Sequence, residues 1–339
     1  MSTAPAHGTA TMTAGLDNPS AAADWTAGEA VRPRPDLSVI VVTHNRSDLA
    51  LATLASARAA TGTLEVQWLT IDSGSSDDTP EAIERRFPDL DVQRCQNIGF
   101  AAANNRALQQ AKGRYVLLLN PDVEIVSGTF AELLATLDER PEVGVASVIQ
   151  QGSDGQLQHT IRGFPSPWRA FGEALAIPWG DWREERREQE HYRRERTADW
   201  LVGAFLLVRA EAIAQIGGLD ERFFLYSEET DWCYRAKAAG WDVRHFPQMV
   251  VTHHCVASTN PDLVAQLSHA KLLFARKHYR RAQVAAVRAA LALRHLARVL
   301  GLALGLATRP RRHAGARERL RAERRALAVV CGIAPPPFA

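Results

Sequence analysis

The sequence predicts an α/β protein built on a mostly parallel sheet, and two observations carry that prediction. Short apolar, β-branched runs alternate with helical patterns: Leu37–Val42, Val66–Ile71, a short run near Val92, and Tyr115–Leu119. Such alternation is the signature of βαβ units. Secondly, the runs lead into polar residues, Thr43, Asp72 and Asp122. In open α/β sheets, ligands bind beyond the carboxyl ends of the strands.

Each element has a local reason. Leu49, Leu51, Leu54 and Ala55 give the first helix its apolar face. The small polar loop Ser73–Pro80 ends the second strand and supplies an N-cap and a first-turn proline for the next helix. A third helix is expected from Phe100 to Lys112, stopped by Gly113. Further on, Trp200–Val208 reads as one buried strand. Gly217-Gly218, an aromatic turn (Phe223, Phe224, Tyr226), a helix from Glu228 to Ala239 and a strand Met249–Thr252 follow, the last delivering His253 and His254. The aromatics and Trp200 suit either stacking on a ligand ring or the core. The charged run 181–196 suits a solvated segment or a lid over the site.

Charge is unevenly spread. From Lys271 onward sixteen Lys and Arg face only Glu318 and Glu323, a net +14. The whole chain is +2, so the body carries −12. An acidic body with a basic tail points to an anionic surface for the tail. From Gln283 to Ala307 the chain is almost all Ala, Leu and Val. Its polar residues, Arg288, Arg294, His295 and Arg298, fall with Arg281 within an arc of about 140°. This predicts an interfacial helix with its arginines toward phosphates, or else a helix packed on the protein's own core. No RNA- or DNA-binding motif accompanies the tail, so no nucleic-acid partner is expected. No run of about 18 uncharged apolar residues is present, and no ordinary transmembrane helix is expected. Nor is a signal peptide, since a basic n-region followed by an apolar h-region is lacking. The four cysteines are scattered without a CxxC pair, which argues against a disulfide framework or zinc site and for a reducing compartment. The expected organisation is a disordered Ala/Thr/Gly/Pro-rich leader (1–36), an α/β domain (37–265, dividing at 125/126) and a basic helical tail (266–339).

Ordered fragments then carry a resemblance. Val42–Arg46, Ile71–Thr79, Asn97–Asn105, Leu119–Asp122, Gly203–Phe205, Gly217–Phe224 and Glu228–Cys233 together resemble the family 2 glycosyltransferases, in particular the bacterial rhamnosyltransferase branch. The resemblance covers roughly 37–258. It implies the GT-A fold, a Rossmann-like sheet with flanking helices, here followed by the basic amphipathic segment. It also implies a sugar-transferring enzyme with a nucleotide-diphosphate sugar donor, dTDP-rhamnose first. The implied acceptor is a lipid-linked saccharide, and the implied location is cytoplasmic, peripheral at the inner face of the cell membrane.

Roles follow residue by residue. Charge on the departing diphosphate calls for a divalent cation, Mg2+ or Mn2+, and Asp122 is the implied ligand. The family usually has two acids here; this chain has Asn120-Pro121-Asp122, leaving Asn120 a weaker partner. Either His253 or its rival His254 completes the metal site, with His253 first. Asp72 is implied to accept from the nucleobase imide, its alternative being a cap for the following loop. Thr43 and Asn45 should line the base or ribose. Asn97 and Gly99 begin the segment that closes over the nucleotide, with Asn104 or Asn105 reaching the donor. The acceptor hydroxyl needs a general base. The resemblance assigns it to Glu229, where aspartate is commoner, with Asp231 beside it; first-turn acids can also serve only the helix dipole. Direct attack opposite the leaving group inverts the anomeric centre. Another nucleotide sugar keeps the same enzyme class. A sugar nucleotidyltransferase would open with a Gly-rich loop where Thr43-His44-Asn45-Arg46 stands. A non-catalytic nucleotide-sensing scaffold would not require Asp72, Asp122 and Glu229.

Overall fold

The computed structural model describes residues 34–174, 190–254, 260–308 and 315–338. Most of the expected leader, most of the charged run at 181–196 and residues 255–259 lie outside the described residues.

The first half is a regular βαβ series: β1 (Leu37–Thr43), α1 (Ser47–Ala59), β2 (Val66–Ser73), α2 (Thr79–Arg86), β3 (Val92–Cys95), α3 (Phe100–Leu108) and β4 (Tyr115–Leu119). Every residue of β1 and β4 is buried, as expected for parallel strands covered on both faces. Helix α3 ends four residues before the expected Lys112, the remainder forming a turn into Gly113. Next come β5 (Val123–Ser127), α4 (Phe130–Asp138), β6 (Val143–Gln151), β7 (Ile161–Arg162) and α5 (Pro167–Ala174). Thr129 and Glu132 form a reciprocal capping box at the start of α4. Then follow β8 (Arg196–Thr197), β9 (Trp200–Leu201), β10 (Phe205–Arg209), α6 (Ala210–Ile216), α7 (Glu228–Ala238) and β11 (Asp242–His253).

The main sheet runs β3-β2-β1-β4-β10-β6-β11-β5, with β8 paired to β11. Strands β3, β2, β1 and β4 are parallel. Beyond them β10 is antiparallel to both β4 and β6, and β11 is parallel to β6 but antiparallel to β5. The sheet is therefore mixed. A short run buried on both faces does not reveal its direction, so β10 could not be oriented from its sequence. The single strand expected over 200–208 is two: β9 joins β7 in a separate ribbon, and the chain breaks at Val202-Gly203-Ala204 before β10 enters the main sheet. Apolar clusters cover both faces, one around Leu54, Phe130 and Phe205, the other around Ile71, Leu118 and Trp232.

Three helices follow: α8 (Pro261–His278), α9 (Arg281–Thr308) and α10 (Ala316–Cys331). The boundary expected at 265 falls inside α8. Among the described residues α9 alone is long and apolar enough to cross a membrane by length and composition, and its apolar window is mostly unburied. Its polar arc is not turned outward as a unit. His295 is buried, its Nδ1 2.5 Å from Glu323 Oε2 and its Nε2 2.9 Å from Ser268 Oγ, and Arg298 donates to Glu323 Oε1 at 2.9 Å. These partners on α8 and α10 draw His295 into the protein, while Arg281, Arg288 and Arg298 stay exposed. A separate apolar stripe, Leu293, Leu296, Leu300 and Leu304, spaced three to four residues apart, is exposed as well.

Candidate active site

The sheet register assembles the site. Thr43 is the Cα partner of Asp72 at the carboxyl ends of β1 and β2. Asp72 is buried, and Thr43 Oγ1 donates to its Oδ2 at 3.1 Å. The following loop also folds onto it: the Ser75 amide donates to Oδ1 at 3.0 Å and the Ser75 hydroxyl to Oδ2 at 2.5 Å. Asn45 locks the same loop. Its amide donates to Ser75 Oγ at 2.7 Å, and its side-chain oxygen accepts from the Ser76 amide at 2.9 Å. The two strand-end loops thus form one hydrogen-bonded rim with Asp72 at its base.

Asn97 Oδ1 accepts from the Gly99 amide at 3.2 Å. Gly99 has φ 84°, and a β-carbon there would fall 2.5 Å from Phe224 O. Only glycine fits this left-handed, crowded position. The contact joins the start of α3 to the aromatic turn, and the Phe100 amide donates to the same carbonyl at 2.7 Å. Asn104 does not reach this rim. It is buried in α3 and donates to Phe100 O at 2.9 Å. Asn105 instead brackets Leu219, accepting from its amide at 2.9 Å and donating to its carbonyl at 2.8 Å.

After β4 the chain turns through Asn120-Pro121-Asp122 into β5. Because Val123 pairs with His253 of β11, the histidine arrives beside Asp122, with Nε2 3.5 Å from Oδ1. Gln158 holds the ring from behind. Its Oε1 lies 3.1 Å from His253 Nδ1, and its amide donates to His253 O at 2.9 Å. With Gln158 Nε2 committed as a donor, Nδ1 carries the proton and the Nε2 lone pair faces Asp122. Burial holds the His253 pKa below its ordinary value, against the pull of Asp122, which keeps the ring neutral. His254 is otherwise engaged, 2.7 Å from Glu124 Oε1 and 2.8 Å from Ser153 Oγ.

The Asn120 amide donates to Ala204 O at 2.9 Å, while its side-chain oxygen is buried without a partner. One residue earlier, Gly203 lies against Glu229: a β-carbon there would stand 3.3 Å from Glu229 Cβ. Glu229 Oε2 and Glu228 Oε2 are likewise enclosed and unpartnered. Burial pushes the Glu229 carboxyl up to about 7. Burial and the neighbouring Glu229 charge push Glu228 well above the usual carboxylate range. Asp231 has the opposite surroundings. It is fully buried, with Oδ2 2.8 Å from Arg235 Nε and Oδ1 2.7 Å from both Lys277 Nζ and His278 Nε2. Burial alone would raise its pKa, but His278, Arg235 and Lys277 outweigh it and hold the carboxyl below its ordinary value.

Across the sheet edge, then, Asp72, Thr43, Asn120 with Asp122 and His253, Gly203 and Glu229 lie on successive neighbouring segments. Gln158, Lys277 and His278 were not picked out by the sequence. Gln158 lies in a polar loop without a motif, and the other two read only as part of the basic tail. Of the aromatics, Phe223 is core, Trp200 is anchored by its indole to Gly163 O at 2.9 Å, and Phe224 stacks on Phe338.

A hydrogen-bonded rim at the ends of β1 and β2, the Asp122–His253 pair and Glu229 with one unpartnered oxygen therefore lie along one edge of a GT-A-like sheet. Residues 38–216 match glycosyl transferase family 2, and the chain belongs to that family and is a glycosyltransferase. It is 32% identical over 247 residues to the N-acetylglucosaminyl-diphospho-decaprenol L-rhamnosyltransferase of Mycobacterium tuberculosis H37Rv, covering 68% of this chain and 80% of that protein. It is 22% identical over 164 residues to the rhamnosyltransferase WbbL of Escherichia coli K12, covering 46% of this chain and 61% of that one. Among solved structures, the mannosyltransferase PcManGT of Pyrobaculum calidifontis, in complex with GDP-Man and Mn2+, aligns with a TM-score of 0.52 at 16% identity, over 88% of this chain and 87% of that one. At that identity the likeness speaks to the fold.

Proposed function

We propose that this glycosyltransferase moves L-rhamnose from dTDP-rhamnose, with inversion, onto a polyprenyl-diphosphate-linked saccharide at the cytoplasmic face of the membrane, in cell-envelope glycan synthesis. The observation that carries the reading is the pairing of two carboxylates of opposite character on one sheet edge. Asp122 faces a neutral imidazole, while Glu229 has one enclosed, unpartnered oxygen and is raised to about 7. A base near neutrality is suited to take a proton from a hydroxyl in the transition state. The mycobacterial relative, named for rhamnosyl transfer to a diphospho-decaprenol-linked N-acetylglucosamine, supports the donor and acceptor classes.

In this reading Thr43, Asn45 and Asp72 seat the base and ribose, and Asn97 and Gly99 close over them. Asp72 then exchanges its hold on Ser75 for the nucleobase imide. The donor set of one carboxylate and one neutral histidine, with the unpartnered Asn120 oxygen nearby, fits a hard divalent cation, Mg2+ or Mn2+, that takes its other oxygens from substrate and water. When bound, that ion neutralises charge on the departing diphosphate. Asp122 and His253 would hold it, with Gln158 fixing the imidazole. Glu229 removes the acceptor proton as the hydroxyl attacks from the face opposite the leaving group, so no enzyme nucleophile is required. Asp231, with both oxygens committed to cations, positions the helix rather than taking the proton. The apolar stripe Leu293, Leu296, Leu300 and Leu304, on a helix bearing exposed Arg281 and Arg288, supports docking on an anionic bilayer where a lipid-linked acceptor resides. The division into a nucleotide half, an acceptor half and a membrane-docking tail belongs to the same reading.

Calorimetry with manganese across dTDP-rhamnose, UDP-galactofuranose, UDP-glucose and GDP-mannose tests the donor. Selective binding of dTDP-rhamnose, lost in Asp72→Ala, is expected. Selective binding of another sugar nucleotide would replace the donor assignment and keep the enzyme class.

A further inference from the structure

Helix α8 runs alongside the turn that presents Glu229 and grips it at several points. The turn is strained at its exit: Tyr226 and Ser227 are consecutive non-glycine residues with φ 72° and 66°. Ser227, the N-cap of α7, makes no side-chain capping bond. Such conformations persist only where surrounding contacts hold them. Here α8 supplies those contacts. Gln266, itself buried, donates to Leu225 O at 3.3 Å. Ala270 and Phe274 pack with Phe223 and Tyr226. One helical turn further on, Lys277 Nζ lies 2.6 Å from Asp220 Oδ2 and 2.7 Å from Asp231 Oδ1. A single ammonium therefore ties the loop before the turn to the helix after it. Asp231 is two residues from Glu229, whose own Oε2 has no partner. The rest of its carboxyl is met by backbone N–H groups of Ser227, Glu229 and Thr230, so the Glu229 side chain takes its position from the backbone that α8 holds.

We propose that Lys277 is a positioning residue for glycosyl transfer: by bridging Asp220 and Asp231 it aims Glu229 at the acceptor hydroxyl. This rests on the reading of Glu229 as the base.

The test uses the full chain with Lys277→Met, Lys277→Arg and Glu229→Gln side by side. Donor dissociation constants are measured by calorimetry, transfer kinetics with a polyprenyl-diphosphate-linked N-acetylglucosamine, and melting temperatures. In Lys277→Met, donor Kd and acceptor KM are expected to stay within about threefold while kcat falls about tenfold or more, the scale of a displaced catalytic group. Lys277→Arg is expected to restore most of the loss. An unchanged kcat in folded Lys277→Met overturns the proposal. So does a joint collapse of Kd, KM and kcat that arginine does not rescue. If Lys277→Met does not fold, Gln266→Leu carries the same test through the neutral grip on Leu225: a lower kcat at unchanged Kd supports the proposal, and an unchanged kcat overturns it. Normal transfer by Glu229→Gln overturns the base reading and this inference with it. Loss of transfer in Glu229→Gln but not in Lys277→Met overturns only the role of Lys277.

Discussion

His253 Nε2 stands 3.5 Å from Asp122 Oδ1, with Gln158 bonded to the far nitrogen of the ring. The pair exists because β11 runs antiparallel to β5 and sets His253 opposite Val123. Asp122→Ala is therefore expected to abolish divalent-dependent transfer with the circular dichroism spectrum unchanged. Gln158→Leu, which frees the ring, should weaken Mn2+ affinity about tenfold to a hundredfold, the usual cost of losing a second-sphere partner. Metal titration of turnover reads both. Full activity in Asp122→Ala would remove the metal proposal.

Glu229 rests against Gly203, where a β-carbon would stand 3.3 Å from its own Cβ. Gly203→Ala should push the carboxylate aside and lower kcat by about tenfold, leaving donor affinity unchanged. Steady-state kinetics paired with donor calorimetry checks this. A kcat equal to wild type would mean that Glu229 yields without consequence for the reaction.

Burial raises Glu229 to about 7, and a general base must be ionised to work. Hence kcat/KM should fall about tenfold per pH unit below about 7. Stability moves the other way. A carboxyl whose pKa rises on folding contributes stability that is full below its unfolded value, and this is lost as pH rises through about 7. The melting temperature of Glu229→Gln should thus exceed wild type by more at pH 8 than at pH 5. An acid limb near pH 4 would show that the carboxylate is solvated during the reaction.

The stripe Leu293, Leu296, Leu300 and Leu304 is exposed on the outer face of α9. Changing Leu296, Leu300 and Leu304 together to Gln should reduce binding to anionic vesicles at least about tenfold, given about 1.5–3 kcal/mol for each fully buried leucine. Transfer to a short-chain, water-soluble acceptor should be unaffected. Undiminished vesicle binding would shift the docking role to the basic residues alone.

The parallel half of the fold was readable because short apolar runs alternate with helical patterns and three of them lead into Thr43, Asp72 and Asp122, and register then brings Thr43 to Asp72. Strand β10 was harder, since Phe205–Val208 is apolar and buried throughout and carries no mark of direction. The break at Gly203 that seats Glu229 was hidden inside what read as one apolar run. The sequence left His253 and His254 as rivals, and their difference appears only through Gln158 on one side and Glu124 with Ser153 on the other. The arc of Arg288, Arg294, His295 and Arg298 was visible, but its orientation was not. That depends on Ser268 and Glu323, each more than twenty residues from His295.

The central claim is that Glu229 takes the acceptor proton on a rim that binds the donor without it. Glu229→Gln, measured for donor affinity by calorimetry and for transfer to polyprenyl-diphosphate-linked N-acetylglucosamine, tests it most directly. Donor binding within about twofold of wild type, with kcat lowered about 10²–10⁴-fold, is the predicted result. Transfer at the wild-type rate would contradict the account.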